Sequence, residues 1–131
     1  MITVTCAIIV NDLKEIFVAQ RSSEMHLPLK WEFPGGKVDN GESLETCLKR
    51  EIKEELDITI EIVQQLASNE HKYSDITIKL IPFICLWTKS DIHLKEHAAY
   101  QWLHPKNLLD LDWAEADIPI VKNYLTQLHG I

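Results

Sequence analysis

The sequence predicts an α/β fold in which helices pack on a mixed β-sheet. Three observations carry that expectation. Strand-like runs precede, separate and follow two helical stretches. The stretch Ser43 to Leu56 is free of Gly and Pro and reads as a helix. The chain has 131 residues, 46% hydrophobic and 25% charged, which suits one packed domain over 1–131.

Ile2, Val4, Cys6 and Ile8 alternate with other residues, the period of a strand with one face buried. Asn11-Asp12 supplies a turn, and Glu15 to Arg21 is a second strand. Residues 22–30 read as an irregular loop with Met25-His26 on the surface. Trp31-Glu32-Phe33 is short and aromatic, after which Pro34-Gly35-Gly36 is expected to break any regular element. Ser43 is a good N-cap, and Glu45 sits in the first turn, where the helix dipole favours negative charge. Ile58 to Val63 and Gln65 to Tyr73 are extended. Ile76 to Trp87 is a long β-rich run whose Pro82 suggests an edge or a bulge. Ala98 to Leu103 is another strand. Asp117 opens a closing helix, with Ile118, Val121, Leu125 and Leu128 as its inner stripe.

Twenty acidic against thirteen basic residues give a net charge of −7. A nucleic-acid polymer is therefore a poor partner, because its phosphates are held by clustered Lys and Arg. A small polyanion is compatible with this charge if a metal supplies the positive counterpart. The apolar start is cut off by Asn11-Asp12, well short of the ~20 residues that span a membrane, so no membrane partner is expected. Cys6, Cys47 and Cys85 form neither a CxxC pair nor a zinc spacing, which points to buried thiols and a cytoplasmic location.

The chemistry is concentrated between Gly35 and Ile58. On a helical wheel Leu44, Leu48, Glu51 and Glu55 fall within an arc of about 60°, with Cys47 and Glu54 beside it. The inward stripe begins apolar and turns acidic. Solvated charge belongs opposite the leucines, not in line with them, and a half-buried group of carboxylates is tolerable when a hard cation neutralises it. Oxygen ligands suit Mg²⁺ or Mn²⁺. Mg²⁺ commonly combines one or two carboxylates with substrate phosphate oxygens, which points to phosphate chemistry.

The same segment resembles the Nudix box, G-x5-E-x7-R-E-U-x-E-E-x-G-U with U apolar. Gly36, Glu42, Arg50, Glu51, Ile52, Glu54, Glu55 and Ile58 match it. Only Asp57 departs, standing where the pattern has Gly at a helix C-terminal turn. Asp enters the left-handed region more readily than most residues, so the chemistry is expected to survive. AQR at 19–21, WEFPGGKV at 31–38, LKEH at 94–97 and DWAEADIPIV at 112–121 extend the likeness to MutT-type nucleoside triphosphate pyrophosphohydrolases, closest to the CTP branch. The resemblance implies an α/β/α sandwich around a mixed sheet, with the box as loop–helix–loop. It also implies Mg²⁺-dependent hydrolysis of a nucleoside triphosphate to monophosphate and pyrophosphate.

Roles carried over from the resemblance make Glu54 and Glu55 metal ligands, with Glu51 a ligand or the residue that orients the attacking water. The Gly35 carbonyl and Glu96 are further ligands. Arg50 orients a glutamate with its guanidinium fork. Arg21 and Lys37 contact the triphosphate. Asp117 reads the base, or caps the last helix, or both; Tyr73 and Phe33 are aromatic walls for the base. An ionised Asp only accepts hydrogen bonds, whereas cytosine presents a donor beside an acceptor, so the pair needs a shared proton. CTP, dCTP or a modified pyrimidine is favoured over 8-oxo-dGTP, the substrate of the pool-sanitising MutT enzymes. A non-catalytic nucleotide-binding module is the alternative from another class, and it would be expected to have lost box glutamates. His93 and His97 lack the companions of H-E-x-x-H and read as a solvated pair.

Overall fold

The computed structural model describes residues 1–128; the end of the 1–131 unit lies outside the described residues. At its centre β1 (Ile2–Val10) runs parallel to β7 (Ile76–Trp87), in register from Ile2 opposite Ile78 to Val10 opposite Leu86. The first of these meets β2 (Ile16–Gln20) at Val10–Ile16. Beyond it, β3 (Trp31–Glu32) and β8 (Ala99–Leu103) both pair antiparallel with β2. On the other side β7 pairs antiparallel first with β5 (Ile60–Gln65) and then with β6 (Asn69–Tyr73). The sheet is mixed, as expected, and it carries a helix on each face: α1 (Leu44–Leu56) and α2 (Ile118–Leu128).

Those two helices account for a departure in β1. Its residues Thr5 to Ile9 are all buried, not one face alone. Cys6 and Ile8 pack with Ile120 and Val121 of α2, while Ala7 and Ile9 pack with Leu48, Ile52 and Leu56 of α1. A strand covered on both faces loses the polar alternation of a half-solvated one.

Three further expectations change. Pro34-Gly35-Gly36 does not end regular structure, because β4 (Gly35–Lys37) pairs antiparallel with β1, Thr5 opposite Gly36. A Cβ at Gly35 would lie 2.0 Å from the Thr5 carbonyl oxygen, so glycine is what admits the second backbone there. Pro82 is neither at an edge nor on a bulged strand; the register shift is in β5, between Ile62 and Gln64. Its carbonyl accepts from Leu66 N (2.9 Å), between the last residue of β5 and the first of β6, where a missing N–H interrupts no ladder. In α2 the buried positions are Ile120, Val121 and Tyr124, and Leu128 is exposed. Among the described residues no helix is long and apolar enough to cross a membrane.

The ends of α1 follow the sequence closely. Ser43 Oγ accepts from Thr46 N at 3.2 Å. Asp57 closes the helix in the left-handed conformation (φ 59°, ψ 34°), its N–H donating to Lys53 O at 3.0 Å. Leu48, Ile52 and Leu56 are fully buried, each contributing about 1.5–3 kcal/mol of transfer free energy. That outweighs the roughly 0.2–0.5 kcal/mol cost of the Glu51/Glu55 like-charge pair. Packing can hold an acidic face in place.

Candidate active site

A cleft of about 270 Å³ opens beside the C-terminal half of α1. Arg21, Phe33, Gly35, Glu55, Tyr73 and Asp117, six of the residues expected at the site, line it. They come from the residue after β2, the Phe33–Lys37 segment, α1, β6 and the 3₁₀ turn before α2. The fold brings them together across the whole chain.

Glu55 is a strongly perturbed acid facing the cleft. Its Oε1 accepts from Gly35 N at 3.0 Å, and its side chain is only 12% exposed. Burial, with the neighbouring Glu32 charge, pushes its carboxyl up to about 9. Glu51 and Glu96 add to that push. Glu51 lies against the backbone at Gly36, where a Cβ would sit 2.2 Å from its carboxyl carbon. Burial raises its carboxyl too, opposed by Arg50.

Arg50 organises the loop before the helix more than the catalytic carboxylates. Its Nε and Nη2 fork Glu42 at 2.7 and 2.9 Å. Nη1 reaches Glu51 at 2.8 Å and Glu54 at 3.3 Å, and Asp39 lies 3.4 Å from Nη2. The fork expected on a glutamate closes on Glu42 of the same box, which the turn before α1 brings to the guanidinium. The Arg50 hydrogen bonds hold the Glu42 carboxyl down at about 2.

Asp117 is buried, and its Oδ2 accepts from Phe33 N at 2.9 Å, across the cleft wall. Burial, then the Glu32 charge, raises its carboxyl well above the usual range, which favours the protonated acid. Tyr73 closes one side, its hydroxyl accepting from Ala116 N at 2.9 Å. Phe33 is nearly fully buried and packs on Trp113, ring centroids 4.9 Å apart.

Other expected positions stand apart from the cleft. Lys37 and Glu96 are exposed and do not line it, and Glu54 is exposed with its carboxylate on Arg50. Among the described residues, no three His, Cys, Asp or Glu side chains converge as a ready-made cation site. Met25 and His26 are at the surface, as expected, and there they line the cleft, because the loop 22–30 folds back with Arg21 Nε donating to His26 O. One expectation of surface position is overturned. His97 is not solvated: its side chain is wholly buried, with Nε2 2.8 Å from Glu32 Oε2 and 3.9 Å from Glu55 Oε2. His93 is exposed, as expected, beside Asp57.

Glu32 is the functional position that residue patterns did not single out. Its Oε1 pairs with Arg21 Nη1 at 2.7 Å while its charge bears on both Glu55 and Asp117. It sits 65 residues from His97, and no local spacing signals such a contact.

Two adjacent substitutions separate backbone from carboxylate. Gly35→Ala meets Thr5 and Cys6 backbone atoms and is expected to unfold the protein or lower its Tm sharply. Gly36→Ala meets only the movable Glu51 carboxylate, so the fold should stand while kcat falls about tenfold or more. Thermal melts and turnover measured side by side check the contrast.

A family model described as the NUDIX domain matches residues 1–124. The CTP pyrophosphohydrolase of Escherichia coli K12 is 36% identical over 129 residues, 95% of this chain and 92% of the relative. The 8-oxo-dGTP diphosphatase of the same organism is 30% identical over 118 residues, covering 90% and 92%. The crystal structure of a MutT protein from Methanosarcina mazei Go1 superposes with a TM-score of 0.88 at 25% identity, covering 96% of this chain and 94% of that one.

Proposed function

This chain belongs to the Nudix family and cleaves the pyrophosphate bonds of nucleoside triphosphates, and from that premise we propose that its substrate is a cytosine nucleotide: CTP, dCTP or a 5-modified dCTP. The products are the monophosphate and pyrophosphate. Residues 1–131 act as one catalytic domain, in the cytoplasm, on a small molecule and not a nucleic-acid polymer.

The observation that supports the base assignment is Asp117. Burial favours the protonated form of this carboxyl, and a carboxylic acid is at once donor and acceptor. Cytosine offers N3 to accept and an exocyclic amine to donate, the complement of that acid. The Phe33 N–H on Oδ2 leaves Oδ1 for the base. Oxidised guanine presents two donors, which an ionised carboxylate suits better. The cytosine reading also agrees with the 36% identity to a CTP pyrophosphohydrolase. Tyr73 and Phe33 flank the ring.

Nudix hydrolases generally use divalent metals. The donor set here fits Mg²⁺, with Mn²⁺ as a substitute: it is all oxygen, and the Glu55 carboxyl, only 12% exposed, lies where Glu32, Glu51 and Glu96 all push it up. Convergence of three carboxylates is not required, since substrate phosphates complete the Mg²⁺ sphere. Glu55, Glu51 and Glu54 would hold it, with the Gly35 carbonyl and Glu96. When bound, it neutralises phosphate charge and lowers the pKa of a coordinated water.

The chain's own residues do the rest. Glu51 receives the proton of the attacking water, and its place against Gly36 fixes where that water stands. Arg50 holds Glu51 through Nη1 while its fork anchors the loop on Glu42. Arg21 meets the triphosphate from the cleft wall, and Lys37 meets it from the rim. Pyrophosphate release with Mg²⁺ across CTP, dCTP, 5-methyl-dCTP, GTP and 8-oxo-dGTP tests the assignment. A cytosine nucleotide should exceed the guanine nucleotides in kcat/KM by about tenfold or more. Preference for 8-oxo-dGTP would overturn it.

A further inference from the structure

His97 lies on the segment between β7 and β8, which is stitched to its surroundings by backbone hydrogen bonds. His93 N donates to Leu56 O (2.9 Å), Lys95 N to Glu55 O (3.0 Å) and Ala98 N to Gln20 O (2.9 Å). The ring is held between the end of α1 and the end of β2, with no side-chain exposure. Only one of its nitrogens is used. Nε2 faces Glu32 Oε2 at 2.8 Å, and because a carboxylate only accepts, Nε2 carries the hydrogen. Nδ1 is buried with no partner among the described residues.

An idle buried acceptor is a cost that a leucine of similar size would not incur. The ring is therefore better explained by what its single donor does. Glu32 has both oxygens engaged, Oε2 by His97 and Oε1 by Arg21 Nη1 at 2.7 Å. Arg21 is held a second time through Nε on His26 O. Without the imidazole, Oε2 is a bare acceptor beside Glu55, and the Glu32 carboxylate is free to turn from Arg21.

We infer that His97 is a positioning residue for the triphosphate: its Nε2–H locks Glu32, and Glu32 locks the Arg21 guanidinium at the cleft wall. The inference rests on the proposed role of Arg21 as a phosphate contact. It assigns to His97 no contact with substrate and no proton transfer.

Gln and Asn discriminate a donor role from mere filling of space. The Gln amide nitrogen reaches about as far as Nε2, whereas the Asn amide stops near Nδ1. His97→Leu and His97→Asn should raise KM for the triphosphate about tenfold with kcat within about threefold, the pattern of lost substrate binding. His97→Gln should restore KM to within about threefold of the parent. The ¹⁵N–¹H signals of the Arg21 guanidinium, recorded without nucleotide, should be sharp and slowly exchanging in the parent and His97→Gln, and lost or broadened in His97→Asn. His97→Asn keeps a polar side chain, so it carries the test should the leucine variant not fold. Parent-like KM and Arg21 signals in His97→Asn, or a His97→Gln variant as impaired as Asn, would overturn the inference. If the parent turns over no triphosphate while the Arg21 signals still follow the donor, the substrate reading fails and the His97–Glu32–Arg21 linkage stands.

Discussion

Glu55→Gln should abolish pyrophosphate release, lowering kcat by about two to three powers of ten, while the protein folds as well as its parent. The amide keeps the shape of the carboxyl and an oxygen to accept the Gly35 N–H, which lies 3.0 Å away. What it removes is the capacity to give up a proton and present a charged carboxylate to a cation, at a position on the cleft face of α1 that is only 12% exposed. Charge stabilisation by a cation is worth several kcal/mol in such a site, so the loss falls on turnover. Added Mg²⁺ should sharpen the parent's stability and leave the variant's untouched. Near-parental turnover in the variant would remove Glu55 from the site.

The same substitution has a stability signature with a definite sign. Unfolded, a glutamate titrates near ~4.3, whereas Glu55 in the folded protein is pushed up to about 9 by burial and by Glu32. Between those values the folded state holds a proton that the unfolded chain has released. Stability of the metal-free protein therefore falls as pH rises through that window. Gln cannot titrate, so the variant should lose less stability than the parent between pH ~5.5 and ~8.5. Urea midpoints at the two pH values in EDTA check it. Glu42 acts in the opposite sense: held at about 2 by Arg50, its contribution is present at neutral pH and lost on acidification. Equal pH slopes in parent and Glu55→Gln would contradict the burial of Glu55.

How far the sequence carries depends on whether the information is local. The box helix is legible because cap, stripe and left-handed end are all set within a few turns: Ser43, the Leu44/Leu48 line and Asp57 each do in the structure what their chemistry suggests. The likeness to the Nudix pattern adds the layer order. What is not legible is pairing at a distance. Gly35 reads as a breaker until the Thr5 backbone is beside it. Pro82 reads as an edge residue until the junction of β5 and β6 is seen to absorb its missing donor. His97 looks solvated because its partner Glu32 belongs to another strand. Arg50 shows the same limit in the site itself, since four carboxylates within its reach could each take the fork and only the folded loop selects Glu42.

Asp117 is the position at which a single proton distinguishes the two candidate bases. If the acid form reads cytosine, Asp117→Asn should keep kcat/KM for CTP within about tenfold, since the amide supplies one donor and one acceptor at every pH. Asp117→Leu has the bulk without either group, leaves Phe33 N–H unpartnered and should cut kcat/KM by about 10²-fold or more. An ionised Asp117 predicts a different order, with Asn and Leu both poor, because neither offers two acceptors to a guanine edge. The pH dependence separates them again. Burial and the Glu32 charge raise the Asp117 carboxyl, so the acid form extends to higher pH than in an ordinary Asp. CTP turnover by the parent should therefore decline relative to Asp117→Asn as pH rises and the acid is lost, since the amide has no proton to lose. A parent that gains on Asp117→Asn as pH rises would mean that the carboxylate, and with it a purine edge, is what this cleft was built to recognise.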